Sequence, residues 1–112
     1  MKKFALFAFR GDPMCFIHVM LNALDLKASG HEVKVILEGE AVKLIKPMQE
    51  DNNPLFKKLQ EQNLIDCVCR ACSAKLGVLE YNEQSGIRLA EEMSGHPAMN
   101  TYIAQGCEII TF

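Results

Sequence analysis

The chain has 112 residues, 49% of them hydrophobic and 23% charged, with a net charge of −2 and a pI ≈ 5.9. That is an ordinary globular mix, large enough for one core and one domain over residues 1–112, and it excludes a disordered chain. The weak charge gives no field to recruit nucleic acid or an anionic membrane, and no apolar run approaches the ~18 residues that a membrane span needs.

The opening MKKFALFAFR fails as a signal peptide because Arg10, Gly11 and Asp12 interrupt it and no small-residue cleavage site follows. It reads as a first strand over residues 3–9, apolar without alternation, as in a parallel sheet buried on both faces. With no export signal the expected compartment is the cytoplasm, where the five cysteines stay reduced; their odd number also argues against a disulfide framework. Asp12-Pro13 is a helix start, with Asp12 as N-cap, and the helix from Met14 to Ser29 stops at Gly30. Residues 32–37, EVKVIL, form a second strand, which completes a strand–helix–strand unit.

Ala41, Val42, Leu44 and Ile45 predict a short helical patch closed by Pro47, and Gln49 to Asn53 a polar loop. Asn53-Pro54 repeats the cap-plus-proline device, opening a helix with Leu55, Phe56 and Leu59 on one face. Residues 64–69, LIDCVC, read as a third strand, followed by a helical turn over Ala71–Leu76 that Gly77 stops. Residues 78–81 suit either a short strand or an extended connection. Ile87, Ala90 and Met93 lie at helical spacing; Gly95-His96-Pro97 interrupts, and Met99, Tyr102 and Ile103 resume a helix that ends at Gly106. CEIITF, residues 107–112, is the last strand. The alternation specifies an α/β sandwich, with one mostly parallel sheet of four or five strands and helices on both faces. Loops at the carboxyl ends of the strands then build the site: Arg10 to Asp12, Glu38 to Glu40 and Cys69 to Ser73.

No phosphate-binding or dinucleotide-binding glycine motif is present, no Ser/His/Asp arrangement stands out, and the lack of tryptophan argues against base stacking. The chemistry concentrates in Cys67, Cys69 and Cys72, spaced C-x-C-x-x-C. Strand alternation puts Cys67 and Cys69 on one face with Ile65, so Cys67 reads as a small core residue. Cys72 falls in the first turn of the following helix, where free N–H groups, Arg70 and Lys75 favour a thiolate. Cys69-Arg70-Ala71-Cys72 is also a C-x-x-C at a helix start, as in thiol–disulfide oxidoreductases, although Pro97 has no evident place opposite the pair. No metal or other cofactor is expected. The cluster supplies three ligands, Cys15, His18 or Cys107 would have to add a fourth, and Cys67 is directed into the core while Cys72 sits at the helix start. His18 reads as a packed helix residue, His31 as surface, and His96 as a loop residue without a role.

In their order, these pieces resemble the DsrE/DsrF-like family of small sulfur-relay proteins over nearly the whole length. They are the apolar first strand with Gly11-Asp12-Pro13, Gly30-His31-Glu32-Val33-Lys34-Val35, Leu37-Glu38-Gly39-Glu40-Ala41-Val42, Ala71-Cys72-Ser73-Ala74-Lys75-Leu76-Gly77-Val78, and the closing Gly106-to-Phe112 strand. The resemblance implies a three-layer, flavodoxin-like α/β/α sandwich, a trimer or hexamer, and a persulfide carried on Cys72. Cys67 and Cys69 are additions to that pattern. The expected role is a cytoplasmic sulfur carrier in which Cys72 accepts a sulfane sulfur and passes it to a partner protein's thiol. Cys69 serves as a resolving thiol or second sulfur position, Arg70 and the turn containing Ser73 hold the negative sulfur, and Arg10 and Asp12 orient a partner. The rivals are a dithiol redox protein using Cys69 and Cys72, and a non-enzymatic oligomeric binding module with structural cysteines. Homo-oligomerisation is also expected from the first helix, which carries apolar residues all round: Phe16, Ile17, Val19, Met20, Leu21, Leu24 and Leu26.

Overall fold

The structure, a computed structural model, describes residues 1–112. Five parallel strands form one sheet in the order β4-β3-β2-β1-β5: β1 (Lys3–Ala8), β2 (Glu32–Leu37), β3 (Ile65–Cys69), β4 (Leu89–Ala90) and β5 (Glu108–Thr111). Six α-helices accompany it: α1 (Pro13–Ala28), α2 (Ile45–Glu50), α3 (Pro54–Glu61), α4 (Arg70–Lys75), α5 (Leu79–Glu83) and α6 (Met99–Ala104), with a 3-10 segment over Gly39–Leu44. This is the three-layer sandwich expected.

The unbroken apolar run of β1 follows from burial on both sides. Phe4, Leu6 and Ala8 enter a core of 21 buried residues that also holds Phe16, Val19 and Met20 of α1 and Phe56 and Leu59 of α3. Ala5 and Phe7 face a second core of only 7, closed by Tyr102 of α6. The two layers are therefore unequal. Asp12 caps α1 through a 2.8 Å bond from the Met14 N–H, and Asn53 caps α3 in the same way, as the Asp-Pro and Asn-Pro pairs predict.

Several elements differ from expectation. Pro47 does not close a helix but lies in the first turn of α2, where a missing N–H costs nothing, so residues 49 and 50 are helical rather than loop. Residues 79–83 form α5, neither strand nor extended connection. Ile87 and Ala90 belong to no helix: Leu89–Ala90 is the short fourth strand, paired with Val68–Cys69, and Ile87 is core. A two-residue strand carries too few positions for alternation to show.

The third strand also departs from simple alternation. Val35 pairs with Ile65 but Ile36 pairs with Cys67, so Asp66 is an extra residue, a β-bulge. The bulge resets the faces. Ile65 packs on the α1 side and Cys67 on the α6 side, not together. Asp66 accepts a hydrogen bond from the Tyr102 hydroxyl and pairs with Arg88 at 2.9 Å, while the Cys67 thiol lies 3.2 Å from the Tyr102 oxygen.

Burial pushes the Cys67 thiol from 9.0 up to about 11, with the Tyr102 hydroxyl partly opposing it. The unfolded chain therefore loses this proton at lower pH than the native one. The stability conferred is complete below pH 9 and is lost as pH rises toward 11, by an amount of order 2 kcal/mol. Urea titrations from pH 8 to 11 are expected to show a shallower alkaline decline for Cys67→Ala than for the wild type.

Candidate functional site

In this sheet the helices that follow β1, β2 and β3 pack on the larger core, whereas α6, which follows β4, packs on the smaller one. The chain leaving β3 and the chain leaving β4 thus diverge to opposite faces. The crevice between their carboxyl ends is the topological switch point, the place where open parallel sheets bind ligands.

Cys69 ends β3 and caps α4: its Sγ accepts the Cys72 N–H at 3.4 Å. It is fully buried, whereas Cys72, one helical turn on, is half-buried. From the other side of the crevice comes a tight turn over residues 93–96. The Met93 and His96 backbones bond to each other, and Ser94 and Gly95 both take positive φ, 51° and 92°, as a type I′ turn requires. The Gly95 carbonyl accepts the Ala71 N–H at 2.8 Å, docking the turn on α4. This brings His96 onto the cysteines: Nδ1 lies 3.1 Å from Cys69 Sγ and 3.7 Å from Cys72 Sγ. Glu38, just past β2, points Oε2 at the same nitrogen from 3.4 Å. The Glu38 loop is stitched to the end of β1 by the bonds Glu38 N–H to Ala8 carbonyl and Glu40 N–H to Phe9 carbonyl. Gly39, at φ 57°, fits where a Cβ would approach the Phe9 oxygen to 3.0 Å.

Burial is the main influence on these groups. It pushes the Cys69 thiol up to about 12, and it raises the Glu38 carboxyl against the opposing pull of His96. A buried chain of hydrogen bonds fixes the strand end. Ser73 Oγ donates to the Cys69 carbonyl at 2.7 Å, and Asn82 Nδ2 donates to Ser73 Oγ at 3.0 Å and to the Val42 carbonyl at 3.1 Å.

The structure unites Cys69 and Cys72 but redistributes the other expected residues. Ser73 is wholly buried and orders the backbone rather than facing a ligand. Arg70 pairs with Glu91 at 3.1 Å on the exposed rim of the site. Asp12 is spent on the α1 cap. Exposed Arg10 lines a cleft beyond β1 with Cys15, His18 and Phe112, two strands, or roughly 10 Å, from β3. His18 is exposed, not packed, and Cys67 and Cys107 are core. The residues missed were Glu38 and His96. Glu38 was visible as the first residue after β2 on the site edge. His96 was hidden because the fourth strand, which delivers it, was not recognised.

The chain belongs to the DsrE/DsrF-like family, which matches it over residues 1–112. An uncharacterized protein of Methanocaldococcus jannaschii is 36% identical over 97 residues, covering 84% of this chain and 77% of that protein. One of Archaeoglobus fulgidus is 45% identical over 40 residues, 36% of this chain and 66% of its own length. The structure of a conserved protein of unknown function from Bacteroides thetaiotaomicron superposes with a TM-score of 0.68 at 20% identity, over 99% of this chain and 95% of that one, which establishes the shared fold. Family membership supports a role of the sulfur-relay type in general. No helix is long and apolar enough to cross a membrane.

Gly95→Ala tests how the turn is held. The new Cβ would meet Ala71 Cβ at 2.9 Å and sit at φ 92°. A loss of about 1–2 kcal/mol in chemical denaturation is expected. In the folded state, nuclear magnetic resonance should show the His96 ring signals shifted while those of Tyr102 stay in place.

Proposed function

We propose that the protein is a cytoplasmic sulfur carrier that takes a sulfane sulfur onto Cys72 and hands it to a thiol of a partner protein. The observation that carries this reading is the placement of one histidine nitrogen against both sulfurs of the Cys69–Cys72 pair, at the switch point of a sulfur-relay-type fold. Cys72 is the nucleophile because it alone of the pair reaches solvent.

In the loading step His96 Nδ1 takes the Cys72 proton. The thiolate attacks the outer sulfur of the donor persulfide, the donor's S–S bond breaks, and the donor leaves as a thiolate that is protonated by solvent or by His96. Cys72 then carries the outer sulfur, with no net oxidation or reduction. The partner's thiolate attacks that outer sulfur in turn and restores Cys72. Glu38 stabilises the imidazolium that forms between it and the sulfurs.

The proximity of the two sulfurs favours a second reading, in which Cys69 and Cys72 cycle between dithiol and disulfide. Intact mass after incubation with a persulfide donor and a non-reducing work-up separates the two. A carrier gains one sulfur, about 32 Da, in the wild type and in Cys69→Ser but not in Cys72→Ser. Loading by His96→Ala slows by about 100-fold or more, the usual worth of a positioned base. A dithiol enzyme would lose two hydrogens instead, and both serine variants would abolish that change.

We also propose that the carrier is a homo-oligomer, trimeric or hexameric. Phe16, Val19, Met20 and Ala23 bury one stripe of α1, but Met14, Ile17 and Leu21 form a second apolar stripe at 77%, 41% and 49% exposure. Burying that stripe between copies yields roughly 25 cal/mol per Å² before association costs. Light scattering at micromolar concentration is expected to give a multiple of 12.5 kDa for the wild type and a smaller mass for Ile17→Asp/Leu21→Glu. A wild-type monomer would refute the assembly.

A further inference from the structure

The donor set at the switch point is over-subscribed. His96 Nδ1 has a single proton or a single lone pair, yet it faces Cys69 Sγ at 3.1 Å, Cys72 Sγ at 3.7 Å and Glu38 Oε2 at 3.4 Å. It can satisfy one of the three. The Cys69 and Cys72 sulfurs and the His96 nitrogen all lie within 4.8 Å of one another. Two sulfurs and an imidazole nitrogen converge, and the Glu38 carboxylate stands beside that nitrogen but outside the group. One central cation would satisfy the two sulfurs and the nitrogen at once.

We propose that Cys69, Cys72 and His96 bind one zinc ion, with the fourth tetrahedral position left to a water that the neighbouring Glu38 carboxylate holds. Zn–S bonds of about 2.3 Å and a Zn–N bond of about 2.0–2.1 Å give tetrahedral edges of about 3.5 Å from sulfur to nitrogen. The observed sulfur–nitrogen separations of 3.1 and 3.7 Å straddle that value. The bond from the Cys72 N–H to Cys69 Sγ stabilises a coordinated thiolate, because it aims a backbone donor at a buried sulfur; the Gly95 carbonyl at 3.7 Å accepts the thiol's proton in the metal-free chain. The mixture of soft sulfur with nitrogen and oxygen suits zinc. A cuprous ion favours sulfur over carboxylate, and magnesium or calcium would want oxygen alone.

The ground for expecting no metal was that Cys67 cannot join the other sulfurs. Cys67 does face away, but His96 takes its place as the third ligand. On binding, both thiols release their protons to solvent, and two thiolates and a neutral imidazole surround a divalent ion, with the Glu38 carboxylate alongside. The inference goes beyond the sulfur-carrier reading and does not rest on it. The ion and a persulfide on Cys72 would compete for one sulfur, so a zinc-loaded chain is closed to sulfur uptake.

The test is a zinc titration of the reduced, metal-stripped full chain under anaerobic conditions against a chromophoric chelator, with cobalt(II) added in parallel as a spectroscopic probe. The expected result is one zinc per chain with a dissociation constant below about 1 μM, and cobalt bands of tetrahedral geometry with thiolate charge transfer. Cys72→Ser and His96→Ala are expected to weaken binding by at least about 100-fold, and Glu38→Gln by about 10-fold or more. His96 lies in a loop, so its alanine variant keeps the fold, which circular dichroism checks. Excess zinc should raise the melting temperature of the wild type but not of His96→Ala. Less than half an equivalent of zinc in the wild type, or undiminished affinity in His96→Ala, would overturn the proposal. Sulfane-sulfur uptake is measured separately on the metal-free chain. Uptake without zinc binding overturns the zinc site alone, and zinc binding without uptake supports the site while overturning the carrier reading.

Discussion

The site depends on how closely the chain leaving β4 can approach the chain leaving β3. The 2.8 Å bond from Ala71 N–H to the Gly95 carbonyl draws the two together, and it forms at that distance because residue 95 has no side chain to collide with Ala71. Everything chemically useful follows from that contact. His96 is the next residue along, and it falls against two sulfurs that α4 has already placed one turn apart. The cysteines alone would be a buried cap and a half-buried thiol; with the turn docked they become a pair sharing a titratable neighbour.

The cradle around this contact is held by bonds that make no contact with the reacting atoms. Asn82 of α5 reaches Ser73 and, through it, the carbonyl of Cys69, while a second bond ties the same amide to the 3-10 segment after β2. The end of β3, the start of α4 and the segment that follows Glu38 are thereby fixed relative to one another. Supporting bonds of this kind decide how accurately a site is held, since a displacement of one ångström is enough to spoil a proton transfer or a coordination shell.

Much of the fold was legible because its signals are local. Apolar runs marked β1 and β2, the Asp-Pro and Asn-Pro pairs marked the starts of α1 and α3, and the cysteines marked the end of β3. The unreadable parts rest on non-local facts. Nothing in residues 87–93 distinguishes a two-residue strand from a helical face, because Leu89 and Ala90 become a strand only by pairing with Val68 and Cys69. The bulge at Asp66 is likewise invisible without β2 alongside, yet it decides which side Cys67 faces. The partner of Arg70, Glu91, is delivered by the same unseen strand. His96 was lost for one reason: it is delivered from the far side of a strand whose existence is tertiary, whereas Glu38 already stood in a loop assigned to the site edge.

The two cores are unequal, and that bears on where the molecule opens first. Residues 91–107 lean on the smaller cluster, anchored chiefly by Tyr102, whereas Cys69, Cys72 and Glu38 belong to elements seated on the larger one. Regions with fewer buried contacts reach partly unfolded states at a lower free energy than the whole chain does. The thinner layer can therefore detach as a unit, carrying His96 away while the sulfurs stay in place. An opening confined to that layer would strip the two thiols of their imidazole neighbour, so the lifetime of the assembled site is tied to the smaller core and to the one bond that docks the turn on α4.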